Sequence, residues 1–405
     1  MGEALTDSTE LTGGRLRVVR LGLFDRAYAR NRTTAAALLA AGAQVADLHV
    51  PVVEGIGDRL QPARATRALA QLGRRIVAGE ARLLVRAVPA LARADLALIG
   101  YPGQWDAVLW SPLARRAGCT VLFDPLVSLT ETFIEDRRLL SPGSWRARLV
   151  RWLDRRAFRA VDVILADTPQ QAAYWAALAG LPLDRFLVVP VGADEEVFDP
   201  ARRAATPCDK SGPLRVLFYG TYSPLHGAET IVEAVHRLER AGEQIALVMI
   251  GTGQCEAAVR RRAGELGLAQ VTFIPWVPET ELPGWIAWAD IVLGIFGGTA
   301  KAARVVPNKV YQAMAMGATI VTRDSPALRW LAAGEPCAVL VPPGDSEALA
   351  GAMRSLRSRD VRDRIGRTAR RVFEQRASTR ARARALRPLF ERIERQQRST
   401  RRRVP

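Results

Sequence analysis

The feature that most constrains how this chain can fold is an alternation that runs along it twice. Short runs of Val, Ile and Leu are separated by longer amphipathic stretches: RLRVVRLGLF, QVADLHV, ADLALIG, CTVLFDP and VDVILAD come first, then PLRVLFYG, IALVMIG, QVTFIPW, ADIVLGIF, ATIVTRD and CAVLVPPG. Each run is apolar on both faces, as a parallel strand must be when helices cover it on each side. Strands alternating with helices imply βαβ crossovers and a doubly wound sheet. Two such series predict an α/β fold of two tandem doubly wound, Rossmann-like domains facing across a cleft. The 405 residues are too many for one ordinary core and suit two.

Between the series lies VFDPARRAATPCDKSGP, where Pro, Gly, Ser and charge replace periodic apolar positions. The expected division is a first domain over 1–200, a linker over 201–213, a second domain over 214–380, and a helix with a basic tail over 381–405. The arginine-rich C-terminal stretch carries apolar positions Val372, Phe373, Leu386, Leu389, Phe390 and Ile393. Those positions favour helices that pack back on the domains over binding to nucleic acid. The opening MGEALTDSTELTGG has no basic segment followed by an apolar core, and no stretch approaches the ~18 uninterrupted apolar residues of a spanning helix. A cytoplasmic protein is expected. Cys119, Cys208, Cys255 and Cys337 form no CxxC pair and only three histidines occur, so reduced thiols and no metal centre are expected.

The formal charge is +17, yet arginine supplies almost all of it; lysine occurs only at 210, 301 and 309. Such a bias fits a coding preference and a solvated surface, although the excess favours anionic partners of any kind. Lys210 falls in the linker. Lys301 and Lys309 fall together in FGGTAKAARVVPNKVYQAMAMG, between the strand ADIVLGIF and a helix for which Pro307 is the expected first residue and which ends before Gly317. In a doubly wound sheet, ligands bind beyond the strand C-termini, where helix starts expose unpaired N–H groups that favour an anion. Lys301, Arg304 and Lys309 at that edge suit a diphosphate, because charge-assisted bonds to phosphate oxygens are strong. The same strand, loop and helix-start order recurs in FYGTYSPLHG, with Gly220, Thr221 and His226, and in MIGTGQ, with Gly251 and Gly253.

Taken together, VVPVGADEEVFDP, VLFYGTYSPLHGAETIVEA, MIGTGQ and GIFGGTAKAARVVPNKVYQAMAMGATIVTRDSPAL resemble a family-4 glycosyltransferase of the GT-B fold, in the branch with a P-N-K-V-Y-Q-A motif. The resemblance implies a retaining, metal-independent transferase of hexosyl type, active in polysaccharide or glycolipid biosynthesis. It needs no cofactor, but takes a co-substrate such as a UDP- or GDP-sugar on the second domain and a glycan or lipid-linked acceptor mainly on the first. It assigns His226, Lys301, Arg304 and Lys309 to stabilising the departing diphosphate. Gly220, Thr221, Gly251, Gly253, Trp276, Gly297, Gly298, Thr299, Asn308 and Gln312 would hold the donor. The Glu-x7-Glu pair of many members is replaced here by Arg304 and Gln312, and the usual Arg and Lys of the first loop by Thr221 and His226.

In the first domain, LGLFDRAYARNRT and FDPLVSLTET end strands at the expected cleft, so Arg26, Arg30, Asn31, Asp124 and Ser128 are acceptor-binding candidates. SPGSWRARLVRWLDRRAFRAV begins with Ser141 as the expected N-cap and Pro142 as the first helical residue. It carries Arg148, Arg151, Arg155 and Arg159 on one stripe and Trp145, Leu149, Trp152 and Leu153 largely on another. Two readings stay open: a helix lying in an anionic membrane surface, or a core helix with a solvated arginine face. Two alternatives to the transferase also stay open, a GT-B-fold sugar-nucleotide epimerase and a non-catalytic basic protein that binds anionic membrane or polymer.

Overall fold

The computed structural model describes residues 16–50, 65–202, 212–268 and 270–401. Most of the linker, with Cys208 and Lys210, lies outside the described residues, as do the start of the chain and the last four residues.

The first lobe runs β1 (Arg17–Gly22), α1 (Ala29–Ala40), β2 (Gln44–His49), α2 (Ala65–Arg93), β3 (Leu96–Ile99), α3 (Gln104–Arg116) and β4 (Thr120–Phe123). A π-helical turn over Glu131–Asp136 follows, then α4 (Trp145–Ala160), β5 (Val163–Ala166), α5 (Pro169–Ala179) and β6 (Phe186–Val188). Its six strands are all parallel, in the order β2-β1-β3-β4-β5-β6. Five of them are the apolar runs read from the sequence. The sixth, β6, is an apolar triplet of half-buried residues at the edge of the sheet, too short to be read as a separate strand from the Pro-interrupted run FLVVPV around it.

The second lobe runs β7 (Leu214–Tyr219), a 3₁₀ turn over Pro224–His226, α6 (Ala228–Arg240), β8 (Ile245–Ile250), α7 (Glu256–Glu265), β9 (Val271–Ile274) and α8 (Leu282–Trp288). It continues with β10 (Ile291–Leu293), α9 (Ala300–Arg304), α10 (Asn308–Ala315), β11 (Ile320–Arg323), α11 (Pro326–Ala332), β12 (Val339–Val341) and α12 (Ser346–Ser355). Two long helices, α13 (Arg359–Arg376) and α14 (Thr379–Arg401), close the chain. The strand order is β12-β11-β10-β7-β8-β9, again all parallel.

The two lobes share a local device that the alternation of strands did not reveal. Arg17, at the start of β1, holds Asp95, just before β3, by side chain at 2.8 Å and by its own backbone N–H. Arg215 holds Asp290, before β10, in the same manner at 3.0 Å. Each pair ties the first strand of a lobe to the strand that neighbours it across the reversal in strand order. Around these pairs the inner strands are buried on both faces; β3 and β5 expose no residue. Each fully buried aliphatic side chain contributes about 1.5–3 kcal/mol.

The six apolar positions of the C-terminal stretch are all buried. Leu386, Leu389, Phe390 and Ile393 of α14 join Ala37 and Leu38 of α1 in one cluster, so α14 leaves the second lobe and covers the first. The helix expected from Ser141 instead starts at Trp145, capped by Ser144, whose side chain accepts from Ala147 N; Ser141 and Pro142 belong to the preceding turn. Its buried face is Ala147, Asp154, Ala157 and Phe158, while Trp145, Leu149 and Trp152 face solvent. The helix thus has a core face and a solvated arginine face, but its tryptophans lie outside the core.

Candidate functional site

In the second sheet, strand order reverses between β7 and β10, and loops leaving both strands meet there. Phe296 N donates to His226 O at 2.9 Å and Gly297 N to Leu225 O at 3.1 Å. At Gly297 any Cβ would collide with the carbonyl oxygens of Pro224 and Leu225, so only glycine allows this backbone-to-backbone approach. Arg323, at the end of β11, is buried and donates to the carbonyl oxygens of Gly297 and Thr299. Nothing in the sequence reading marked Arg323, because an arginine that braces a loop looks like any other in so basic a chain.

Thr299 is the N-cap of α9, its hydroxyl accepting from Ala302 N at 3.2 Å. That hydroxyl has a structural task in addition to any contact with a sugar. Pro307 is the N-cap of α10 instead of its first residue, and Asn308 and Lys309 open the helix.

The three cations at this edge are not equivalent. Lys309 is buried, 5% exposed, with Nζ 3.9 Å from the centre of the Phe218 ring and no hydrogen-bond partner among the described residues. Burial pushes its pKa well below the ordinary lysine value. Gly220, at φ +131°, leaves room beside it: an added Cβ would lie 3.2 Å from Lys309 Nζ and 3.6 Å from His226 Nε2. A side chain at this position would therefore crowd the ammonium and touch the imidazole.

Lys301 and Arg304 turn instead toward the first lobe. Lys301 Nζ donates to Thr132 Oγ1 at 3.3 Å and lies 3.7 Å from Glu131 Oε1. Arg304 pairs with Glu135 at 2.8 Å, stacks over Tyr174 at 3.7 Å, and accepts at its carbonyl from Thr168 Oγ1. Both side chains border the gap between lobes, but their charge is answered by carboxylates of the π-helical turn. These acids were missed. A capping-box spacing, Ser128 followed by Glu131, was available as a signal, and Ser128 does bond to Glu131 N at 3.1 Å.

His226 accompanies Lys309, in surroundings that disfavour its charged form. Burial first, then Lys309, Lys301 and Arg137, depress its pKa well below the usual histidine value. Its Nδ1 meets Ser223 Oγ at 2.8 Å, so Nε2 faces the Gly220 side as the free ring nitrogen. Thr221 and Asn308 are half-buried beside these loops, and Gly298 is exposed. Gly251 and Gly253 pack against the backbone of Gly220 and Tyr222. Gln312 donates to Glu279, which also pairs with Arg32 of the first lobe. Trp276 is exposed, so a core role for it is excluded.

The acceptor candidates separate into two groups. Arg30 and Asp124 are each 1% exposed and pair at 2.8 Å, with Arg30 also donating to the carbonyls of Val189 and Pro190. Asn31 bridges Asp25 O, Tyr101 O and Tyr101 N, and Ser128 is fully buried against Glu131. These four are consumed in holding the strand-end loops together, which corrects their assignment as acceptor contacts. Arg26 remains half-exposed at the rim, paired with Asp47 at 2.9 Å. Two further buried carboxyls stand near the gap: burial raises Asp154 to about 6 and Asp167 to about 7. Asp167 Oδ1 and Glu131 Oε1 accept no hydrogen bond among the described residues.

Two parallel doubly wound lobes, with a ligand crevice at the strand reversal of the second, define the GT-B architecture. Comparison with solved structures agrees: sucrose-phosphate synthase from Thermosynechococcus elongatus superposes with a TM-score of 0.68 at 17% identity, over 94% of this chain and 99% of that one. Anabaena Alr3699/HepE in complex with UDP superposes with a TM-score of 0.62 at 16% identity, over 93% and 99%. Residues 213–359 match the family described as Glycosyl transferases group 1. O-antigen chain mannosyltransferase C of Escherichia coli is 24% identical over 260 residues, 62% of this chain and 64% of its own length. D-inositol 3-phosphate glycosyltransferase of Nocardia farcinica is 30% identical over 187 residues, 42% of each chain. The matches thus span less than two thirds of these relatives. The match to the group 1 glycosyltransferases lies in the second lobe.

Proposed function

We propose that the protein transfers a sugar from a nucleotide-diphosphate sugar to a glycan or lipid-linked acceptor, with retention at the anomeric carbon and without a metal ion. The observation that carries this reading is Lys309: a buried ammonium over the Phe218 ring with no hydrogen-bond partner among the described residues, placed at the first turn of α10 beside Gly220. A protein keeps an uncompensated buried cation at a cost in stability, and an anion arriving there repays it. A UDP- or GDP-sugar offers such an anion in its diphosphate, and related folds such as Alr3699/HepE are known with UDP and UDP-glucose bound.

As the sugar leaves, charge grows on the diphosphate oxygens. Lys309, the amide hydrogens opening α10 and the Nε2 side of His226 are fixed in place beforehand, so they stabilise that charge more than the ground state. The acceptor hydroxyl gives its proton to the departing phosphate oxygen, so a dedicated protein base is not required. Lys301 and Arg304 stand at the lobe boundary, where a bound donor competes with Glu131 and Glu135 for them. The reaction takes place on the cytoplasmic side of the cell.

The test is calorimetric titration of UDP, GDP and their sugars, followed by product analysis by NMR with chelator present. Nucleotide binding with transfer to an acceptor, anomeric configuration kept, is the expected result. Isomerised nucleotide sugar formed with no acceptor present would overturn it in favour of an epimerase, and absence of any nucleotide affinity would overturn both.

A further inference from the structure

Exposed large apolar side chains are not scattered over this molecule. Of the thirteen among the described residues, nine lie on α2, α3 and α4, one layer on one face of the first lobe. Trp105 and Leu109 stand one turn apart on α3, and Trp145, Leu149 and Trp152 follow one another along α4. The three tryptophans are each more than half exposed. The two helices pack side by side, and Trp110 of α3 donates to Glu80 of α2, which fixes the third helix against them.

Charge on this face is of one sign. In its sixteen residues α4 carries Arg146, Arg148, Arg151, Arg155, Arg156 and Arg159, and among the described residues no carboxylate forms an ion pair with any of them. Its one acid, Asp154, is fully buried and accepts from the backbone of Leu129 and Thr130. Tryptophan and leucine standing out of an arginine-rich surface match a bilayer, whose headgroup zone takes indole rings and whose anionic lipids take the guanidinium groups. A protein partner would have to supply both a large apolar patch and a dense acidic rim.

We propose that the α3–α4 face docks the protein on an anionic lipid bilayer. Both helices begin at the C-terminal edge of the first sheet, the edge that borders the gap between lobes, so a docked molecule holds that gap beside the lipid surface. A lipid-linked acceptor is then presented laterally, without leaving the membrane. The inference does not depend on the transferase reading, because docking is measured without donor or acceptor.

The experiment is co-sedimentation of the full chain with vesicles of phosphatidylcholine, alone or with about a third phosphatidylglycerol. Three proteins are compared: wild type, Trp145→Ser/Leu149→Ser/Trp152→Ser, and a charge control, Arg384→Glu/Arg387→Glu, on the exposed side of α14 at the opposite face. Expected is binding to the anionic vesicles only, weakened at least tenfold in the apolar triple variant and less than threefold in the control. Circular dichroism confirms folding of the surface variants. Equal binding by wild type and triple variant would overturn the proposal in favour of diffuse attraction by net charge. Absence of binding would overturn it outright, and so would a wild-type dimer that the triple variant dissolves, since a second copy would then be the occupant.

Discussion

Lys309→Met separates a binding lysine from a structural one, because the two roles predict opposite signs. Methionine keeps the length of the side chain and its packing on Phe218 while removing the charge. In the free protein the ammonium is desolvated with no hydrogen-bond partner among the described residues. Its removal should therefore stabilise the fold by about 1–3 kcal/mol. For a lobe of this size each kcal/mol moves Tm by roughly 2–4 °C, upward here. Nucleotide binding should respond in the other direction: truncating one member of a buried, hydrogen-bonded charge pair costs about 2–4 kcal/mol, or roughly 30- to 700-fold in Kd. Protons add an independent readout. Burial depresses the Lys309 pKa in the free fold, and a diphosphate beside it raises it again. Nucleotide binding by wild type should accordingly take up protons at alkaline pH, a signal visible as buffer-dependent calorimetric enthalpy and absent in the variant. The same shift makes wild-type stability rise with pH as the ordinary lysine value near 10.5 is approached from below, since the unfolded chain holds the proton there and the fold does not. A variant with lower Tm and unchanged nucleotide affinity would refute the assignment.

Other positions give sharper local tests. Gly220→Ala forces a side chain into a left-handed conformation and toward Lys309 and His226. It should cost about 1–3 kcal/mol in urea unfolding and abolish detectable nucleotide titration. Arg30→Met should lose about 3–5 kcal/mol by stranding buried Asp124, whereas Arg30→Met/Asp124→Leu should recover most of it, as read from chemical denaturation; a double variant as unstable as the single one would contradict a purely structural pair. Asp167, raised to about 7 in the fold, binds a proton there that the unfolded chain has lost, so its contribution falls as pH rises from about 4 to 7. Asp167→Asn should flatten that part of the pH–stability curve, and an unchanged slope would place the titration elsewhere. Glu135→Gln removes the partner of half-buried Arg304 and should alter nucleotide Kd by less than about fivefold, because such partly exposed pairs are worth at most about 1 kcal/mol.

The parts of this protein that were legible in its sequence are those written in local pattern. Eleven strands declared themselves as doubly apolar runs, and Lys301 and Lys309 stood out against an arginine background. What stayed hidden depends on distant residues meeting. Arg30 and Asp124 look like loop residues free for a ligand until the fold brings them together across 94 positions. Glu131 and Glu135 look like one acidic turn until the second lobe sets Lys301 and Arg304 opposite them. His226 reads as a ligand in an open loop, and only the fold shows that burial next to Lys309 disfavours its charged form. The helix start at Ser144 was missed because Ser141-Pro142 carries an equally good local signal, and tertiary packing chose between them.

The backbone joins the lobes at two places, once through the segment that begins after Phe198 and again where α13 hands over to α14. At the second, Gly192 of the first lobe sits so close to Ala377 and Arg382 that no larger residue fits. Away from that seam the lobes are held only by side chains, Arg32 on Glu279, Lys301 on Thr132 and Arg304 on Glu135, so any parting of the two must first break those ties.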